Sequence, residues 1–357
     1  MQGSRFERLT DLAIAAFLWA FRIAVIVVVV LGSFLTITSG RFGFATWLDL
    51  VISGLVLGSI YALIALGYTM VYGILRMINF AHGEIMMSGA VGGYFAGVFL
   101  AGTGFLNANP FASIVAIVGM ILVAATIAVL ISLLVERIAY RPLRNAPRLV
   151  PLISAIGASF VLQYSFRGFL GPGIKTYPTV TFLSTRLPLP FDVTVLDVLI
   201  IVSALAMMGG LYLFVMRTRF GTAIRAVSED QQAARLMGID VDRSIVLTFA
   251  IGAAMAGAAG VLYGLLFKQV YYFSGFVPGI KAFTAAVLGG IGNVPGAMLG
   301  GIFLGEVESI GPILFLQGLG VPAVNQLKDV VAFTMLVLIL VFRPSGLLGE
   351  RVARQRA

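Results

Sequence analysis

WLDLVISGLVLGSIYALIALGYTMVY, residues 47–72, is a run of 26 residues in which Asp49 is the only charge. A hydrocarbon core about 30 Å thick needs roughly 20 helical residues to cross it, so this stretch is long enough to span a bilayer. Runs of the same character recur on both sides, at 12–37 (interrupted by Arg22), 85–100, 113–134, 149–169, 195–215, 245–266, 283–316 and 330–342, the next-to-last broken by glycines. Together they predict an all-α membrane protein, a polytopic transmembrane helix bundle with about eight or nine crossings.

Composition agrees with that reading. Of 357 residues 60% are hydrophobic and 11% charged, against roughly 25% charged in an ordinary soluble domain. Twenty-four Lys and Arg against fifteen Asp and Glu give a net charge of +9. These charges sit at the ends of the apolar runs, so they report topology and not nucleic-acid binding. The absence of cysteine excludes disulfides and thiolate metal sites, and the single histidine, His82, excludes a multi-histidine metal site.

Arginines set the orientation. Arg137, Arg141, Arg144 and Arg148 fill one loop; Arg217, Arg219, Arg225, Arg235 and Arg243 fill another; Arg343, Arg351, Arg354 and Arg356 mark the C-terminal tail. All three are expected to be cytoplasmic, with both termini on that side and residues 350–357 as a cytoplasmic tail. The span ending near Leu266 and the one starting near Val330 then both face outside, so the segment between them crosses an even number of times. LGGIGNVPGAMLGG, residues 288–301, supplies the glycines and proline for a Gly/Pro-broken hairpin there. Residues 1–46 form an N-terminal extension whose apolar run exceeds a signal-peptide core, so a retained extra transmembrane helix is expected. Arg22 within it reads as snorkelling or partner-facing. Of the outer loops, 171–192 is the one expected to hold small strands.

Polar groups inside the spans are few. Asn79, His82 and Glu84 form the densest cluster, just after Arg76 and therefore near the inner face. A structural or gating role is preferred to substrate contact, and one His with one Glu is thin support for a proton pump. Glu306, Glu308 and the turn residue Asn293 either hydrogen-bond a substrate or satisfy backbone groups freed by the glycines, the second reading being preferred. Small residues four apart at Gly54/Gly58, Gly260/Gly264, Gly296/Gly300 and Gly301/Gly305 mark close helix contacts and say nothing about cargo.

The loop 217–243 is polar but patterned. Ser228 followed by Gln231 matches a capping box, Glu229 and Asp230 suit a helix N-terminus, and Gly238 suits its stop, which predicts a short helix over 229–237. Ala233, Leu236 and Met237 share one of its faces, with Ala234 beside them. By pattern alone that stripe either docks a partner or packs on the protein's own loops.

EDQQAARLMGID (229–240) resembles the EAA-type loop of ATP-binding-cassette importer permeases, whose short coupling helix enters a groove on the ATPase. GLVLGSIYALIALGYTMVYGILRMINFAHGEIMM (54–87), AYRPLRNAPRLVPLISAIGASFVLQ (139–163), AAVLGGIGNVPGAMLGG (285–301) and FRPSGLLG (342–349) resemble permeases of high-affinity branched-chain amino acid importers. The resemblance covers about 48–349 and does not reach 1–39. It implies a permease domain over 47–349, a bacterial inner-membrane location, and ATPase coupling through Glu229, Ala233, Ala234, Leu236, Met237 and Gly238. It also implies two ATPase subunits that bind ATP and Mg, a second related permease and a periplasmic binding protein. The chain itself has no G-x-x-x-x-G-K-[ST] loop, so it is expected to be no enzyme and to hold no cofactor or metal. Its expected cargo is a branched-chain or related small amino acid, with urea or short amides as the alternative within the family. A secondary carrier is opposed by the patterned loop. An intramembrane hydrolase would have to use His82 and has no G-x-S-x-G elbow. Transport without an ATPase would favour a channel or that carrier.

Overall fold

The computed structural model describes residues 2–349 except positions 145, 148, 189–191 and 344, with only the backbone described at 2–11 and 17. Twelve α-helices follow in order: α1 Gln2–Thr38, α2 Phe44–Leu75, α3 His82–Gly102, α4 Pro110–Val135, α5 Leu149–Leu170, α6 Val195–Arg217, α7 Arg219–Glu229, α8 Gln231–Leu236, α9 Val241–Phe267, α10 Phe276–Gly289, α11 Val294–Leu316 and α12 Lys328–Phe342. Among the described residues, nine helical segments are long and apolar enough to cross a membrane. The chain is a multi-pass all-α membrane protein. Among the described residues one sheet forms: Lys175–Thr176 (β1), in the loop expected to hold small strands, pairs antiparallel with Gln269–Val270 (β2), which follows α9.

Helix ends are set by local chemistry. Asn109 caps α4, its Oδ1 accepting from Ala112 N at 2.8 Å, with Pro110 in the first turn, where a missing N–H costs nothing. Thr194 and Asp197 form a capping box at α6, and Asp240 caps α9. Free amides at these helix starts are thereby satisfied.

α2 and α9 form the centre, while α1, α5 and α12 lie on the rim. Because lipid tails are as apolar as the side chains, helices gain little by hiding leucines from them and must associate through close packing. Glycine supplies the closeness. α2 and α11 run antiparallel, with Gly54 and Gly58 against Gly305, and Ala62 against Gly301. Gly257 of α9 lies on the Ala124 carbonyl of α4 and beside Gly89 of α3. α1 joins the bundle the same way: Gly32 rests on the Phe315 backbone, and Thr36 Oγ1 accepts from Gly318 N at 2.9 Å. Arg22 sets its guanidinium over the rings of Trp19 and Phe342, 5.2 and 5.0 Å from their centroids.

Two helices start inside the bundle. After α2 ends, Arg76 adopts a left-handed conformation (φ 53°) and the chain turns back along α2. His82, the first residue of α3, lies against Gly67. Gly67 is eight residues before the end of α2, about 12 Å along the axis. α10 has only 14 residues, about 21 Å. Its N-terminal glycines, Gly275 and Gly279, meet Gly83 at the start of α3. α3 and α10 therefore point away from one another, their N-termini converging within the span. α10 then gives way at Gly290–Asn293, where Gly290 and Gly292 have φ of 104° and 95°, to α11 packed antiparallel against it. Leu347 and Leu348 donate their amides to the carbonyls of Leu288 and Gly289, so the segment after α12 is stapled to this turn.

Candidate functional site

The meeting point of α3 and α10 is a break in the helical ladder, and polar residues gather there. Asn79, His82 and Glu84 are brought together and are 2%, 1% and 1% exposed. All three are covered by the chain itself. The left-handed turn at Arg76 sends the chain back into the protein. Asn79 Oδ1 accepts from Tyr140 Oη at 2.5 Å and from Ala81 N at 3.1 Å, which fixes the turn-back loop. The His82 ring meets Tyr68 edge-on, 4.7 Å between centroids, and its Nε2 has no hydrogen-bond partner. Gln163 Nε2 donates to Glu84 Oε1 at 2.7 Å, with Ser159 Oγ 3.4 Å away. Glu84 Oε2 is buried and has no partner.

Glu84 lines a cavity of about 120 Å³ between α3, α5 and α10, several times the roughly 10–15 Å³ that one water requires. Tyr68, Ser159 and Gln163 are its other side-chain polar groups, and Phe160, Ile280 and Phe283 belong to its apolar wall. His82 and Asn79 do not line it. The cavity mouth lies between α5 and α10, where Phe160 and Phe276 are exposed.

The other residues singled out lie elsewhere. Asn293 caps α11, accepting from Gly296 N at 2.9 Å, and its Nδ2 donates to Leu348 O at 2.9 Å. Glu306, half-buried, sits against Gly54 across the α2–α11 contact. Glu308 is buried and accepts from Lys281 Nζ at 2.7 Å; Lys281 also reaches Asp329 at 2.7 Å. Lys281, Gln163 and Ser159 were missed by sequence reasoning. Lys281 had a legible signal, since a lysine inside an apolar stretch needs a buried acid. Gln163 and Ser159 had none, because neutral polar residues are unremarkable on a membrane helix.

At the arginine-rich end, α7 and α8 form a small platform. The predicted start of the short helix is corrected: Glu229 closes α7, and the Ser228 hydroxyl donates back to Arg225 O at 2.7 Å. Asp230 takes the cap of α8 instead, its Oδ1 accepting from Gln232 N and Ala233 N at 2.8 and 3.0 Å. An extended residue with a short carboxylate reaches two amides, which a serine inside the preceding helix cannot do. The stop at Gly238 is as expected, with φ 81°. Gly238 N donates to Arg235 O and Ile239 N to Ala234 O, a Schellman closure. Ala234 packs inward, whereas Leu236 and Met237 are 88% and 82% exposed. Two bonds tie the platform to the end of α2: Gln231 Nε2 to Ile74 O at 2.9 Å and Arg76 Nη2 to Ser228 O at 3.0 Å. Asp230→Ala should cost about 1 kcal/mol of local stability, read as faster amide exchange in α8 with the spans unaffected.

Residues 50–340 match the model of the family described as branched-chain amino acid transport system / permease component. The chain belongs to this family. It is a transmembrane permease component, of a family whose members transport and do not catalyse. It is 45% identical over 308 residues to the high-affinity branched-chain amino acid transport system permease protein BraD of Pseudomonas aeruginosa, covering 85% of this chain and 96% of that one. It is 42% identical over 315 residues to LivH of Escherichia coli, a protein of the same description, covering 86% and 97%. A probable branched-chain amino acid transport permease of Methanocaldococcus jannaschii is 28% identical over 318 residues, covering 83% and 90%. No solved structure matches the chain significantly. The family model leaves positions 1–49, all of α1 among them, outside its match.

Proposed function

We infer that this chain forms the translocation path for leucine, isoleucine, valine or a related small amino acid in an ATP-driven importer, working with two ATPase subunits, a second permease and a binding protein. Near-full-length likeness to BraD and LivH supports the cargo class. The observation that carries the coupling is α8, which presents Leu236 and Met237 outward on a helix closed at both ends. In this reading α8 is the coupling helix, seated in the ATPase, with Glu229 and Ala233 on the same exposed rim and Gly238 as its stop. Its two bonds to the α2 terminus carry ATPase motion toward the turn-back loop and Asn79, His82 and Glu84. The arginine-rich end is then cytoplasmic in a bacterial inner membrane, with both termini on that side. Residues 47–349 are the permease domain, 1–46 an added helix, and α10, its turn and α11 the Gly/Pro-broken hairpin.

The test is reconstitution. The complex purified with its ATPases and placed in liposomes with its binding protein should hydrolyse ATP in response to leucine and accumulate it. Uptake that persists without the ATPase, or uptake of urea but not of leucine, isoleucine or valine, would overturn the reading. Leu236→Asp, which puts a charge into an apolar contact, should abolish leucine uptake or release the ATPase. The isolated membrane subunit should keep its helical content by circular dichroism. Unchanged uptake and complex recovery would mean that α8 is a solvated connector.

A further inference from the structure

We propose that the cavity at the α3–α10 break is a cargo site for a small aliphatic zwitterion, with Glu84 Oε2 accepting hydrogen bonds from its α-ammonium group. The proposal deepens the amino acid reading above and rests on it. Three carboxylates are buried among the described residues, Glu84, Glu136 and Glu308. Glu136 is paired with Arg144 and Glu308 with Lys281, whereas Glu84 has no basic partner. A buried carboxylate without a counter-charge is costly, and its neighbours normally supply one. Here Gln163 satisfies Oε1 alone, no lysine or arginine lines the cavity, and Oε2 is left open. A ligand that brings its own cation completes the site.

The rest of the lining fits the rest of such a ligand. The N-terminus of α10 borders the same space and presents the positive end of a helix dipole, whereas the first turn of α3 already carries Glu84. Gly83, Gly275 and Gly279, packed backbone against backbone, line this edge. A carboxylate is favoured at that edge. Phe160, Ile156, Ile280 and Phe283 offer an apolar wall to a branched side chain. Glu84 is the only acid in the lining, so a basic side chain would find no second counter-charge, and an anion would meet Glu84 itself. Urea offers N–H donors but no charge, and leaves the carboxylate unneutralised.

Glu84→Gln keeps the shape and hydrogen-bonding capacity of the site while removing its charge. In proteoliposomes holding the whole complex, leucine uptake should fall roughly tenfold or more, as expected for loss of a charge-assisted hydrogen bond. Photo-leucine, a diazirine analogue irradiated during turnover, should label α3, α5 or α10 in the wild type and lose that labelling in Glu84→Gln. Wild-type uptake by Glu84→Gln, or labelling confined to other helices, would overturn the site and leave the importer reading standing. Failure of the wild type to import leucine would overturn both. If Glu84→Gln is not recovered as a complex, Phe160→Trp at the exposed mouth decides: reduced uptake and labelling support the site, and unchanged values of both overturn it.

Discussion

Lys281→Met should lower the stability of the detergent-solubilised protein by about 3–5 kcal/mol, because it strips the counter-charge from a buried carboxylate. Lys281 Nζ lies 2.7 Å from Glu308 Oε1 and 2.7 Å from Asp329 Oδ1, with its ammonium 5.7 Å from the centre of the Tyr61 ring. Without it Glu308 retains only Lys328 at 3.8 Å, a residue half-exposed at the far end of the bundle. A buried pair removed whole costs much less than a pair cut in half. The double variant Lys281→Met, Glu308→Leu should therefore recover most of the loss. Thermal unfolding of the two variants side by side measures the difference. Equal stability for both would show that Glu308 is reached by water in the native state.

Gly305→Leu is expected to prevent assembly of the bundle. A side chain at Gly305 would enter the backbone of Gly58 and the carbonyl of Gly54, and backbone cannot rotate out of the way as a side chain can. Overpacking in adaptable cores costs about 1–3 kcal/mol; here two helix axes would have to separate along the most extensive contact in the molecule. Loss of monodisperse protein in size-exclusion chromatography is the expected result. A well-folded Gly305→Leu protein would mean that α2 and α11 can slide apart without disrupting the core.

These two sites differ in how far the sequence announced them. Gly301/Gly305 and Gly54/Gly58 were visible as small residues four apart, and the apolar runs gave the helices nearly to their ends, because length in hydrocarbon is a strict constraint. Which small stripe meets which could not be read, since every such stripe fits any other in a bundle. The inward start of α3 was hidden for a related reason. Its cause is one left-handed residue, Arg76, at a position where arginine ordinarily signals a loop at the membrane rim. Reading the rule literally keeps Asn79, His82 and Glu84 near the inner face, without showing that the protein buries them. The α8 boundary moved because the Ser228 capping box counted Glu229 and Asp230 as helical, whereas α7 runs on to Glu229 and leaves Asp230 as the cap. Gln163, the partner of Glu84, lies 79 positions away on a different helix, and nothing local to either residue links them.

The staple between the segment after α12 and the α10–α11 turn bears on biosynthesis. Asn293 Nδ2 bonds Leu348 O, 55 residues further along the chain. At roughly 5–20 residues per second, about three to eleven seconds of translation separate the two. During that interval the newly made turn has the carbonyls of Leu288 and Gly289 unclaimed, and α10 and α11 have no following helix to hold them. A ribosome stalled within α12 would thus leave a nascent chain whose glycine-rich turn is open to the insertion machinery, and release of the stall would let the FRPSGLLG segment close it.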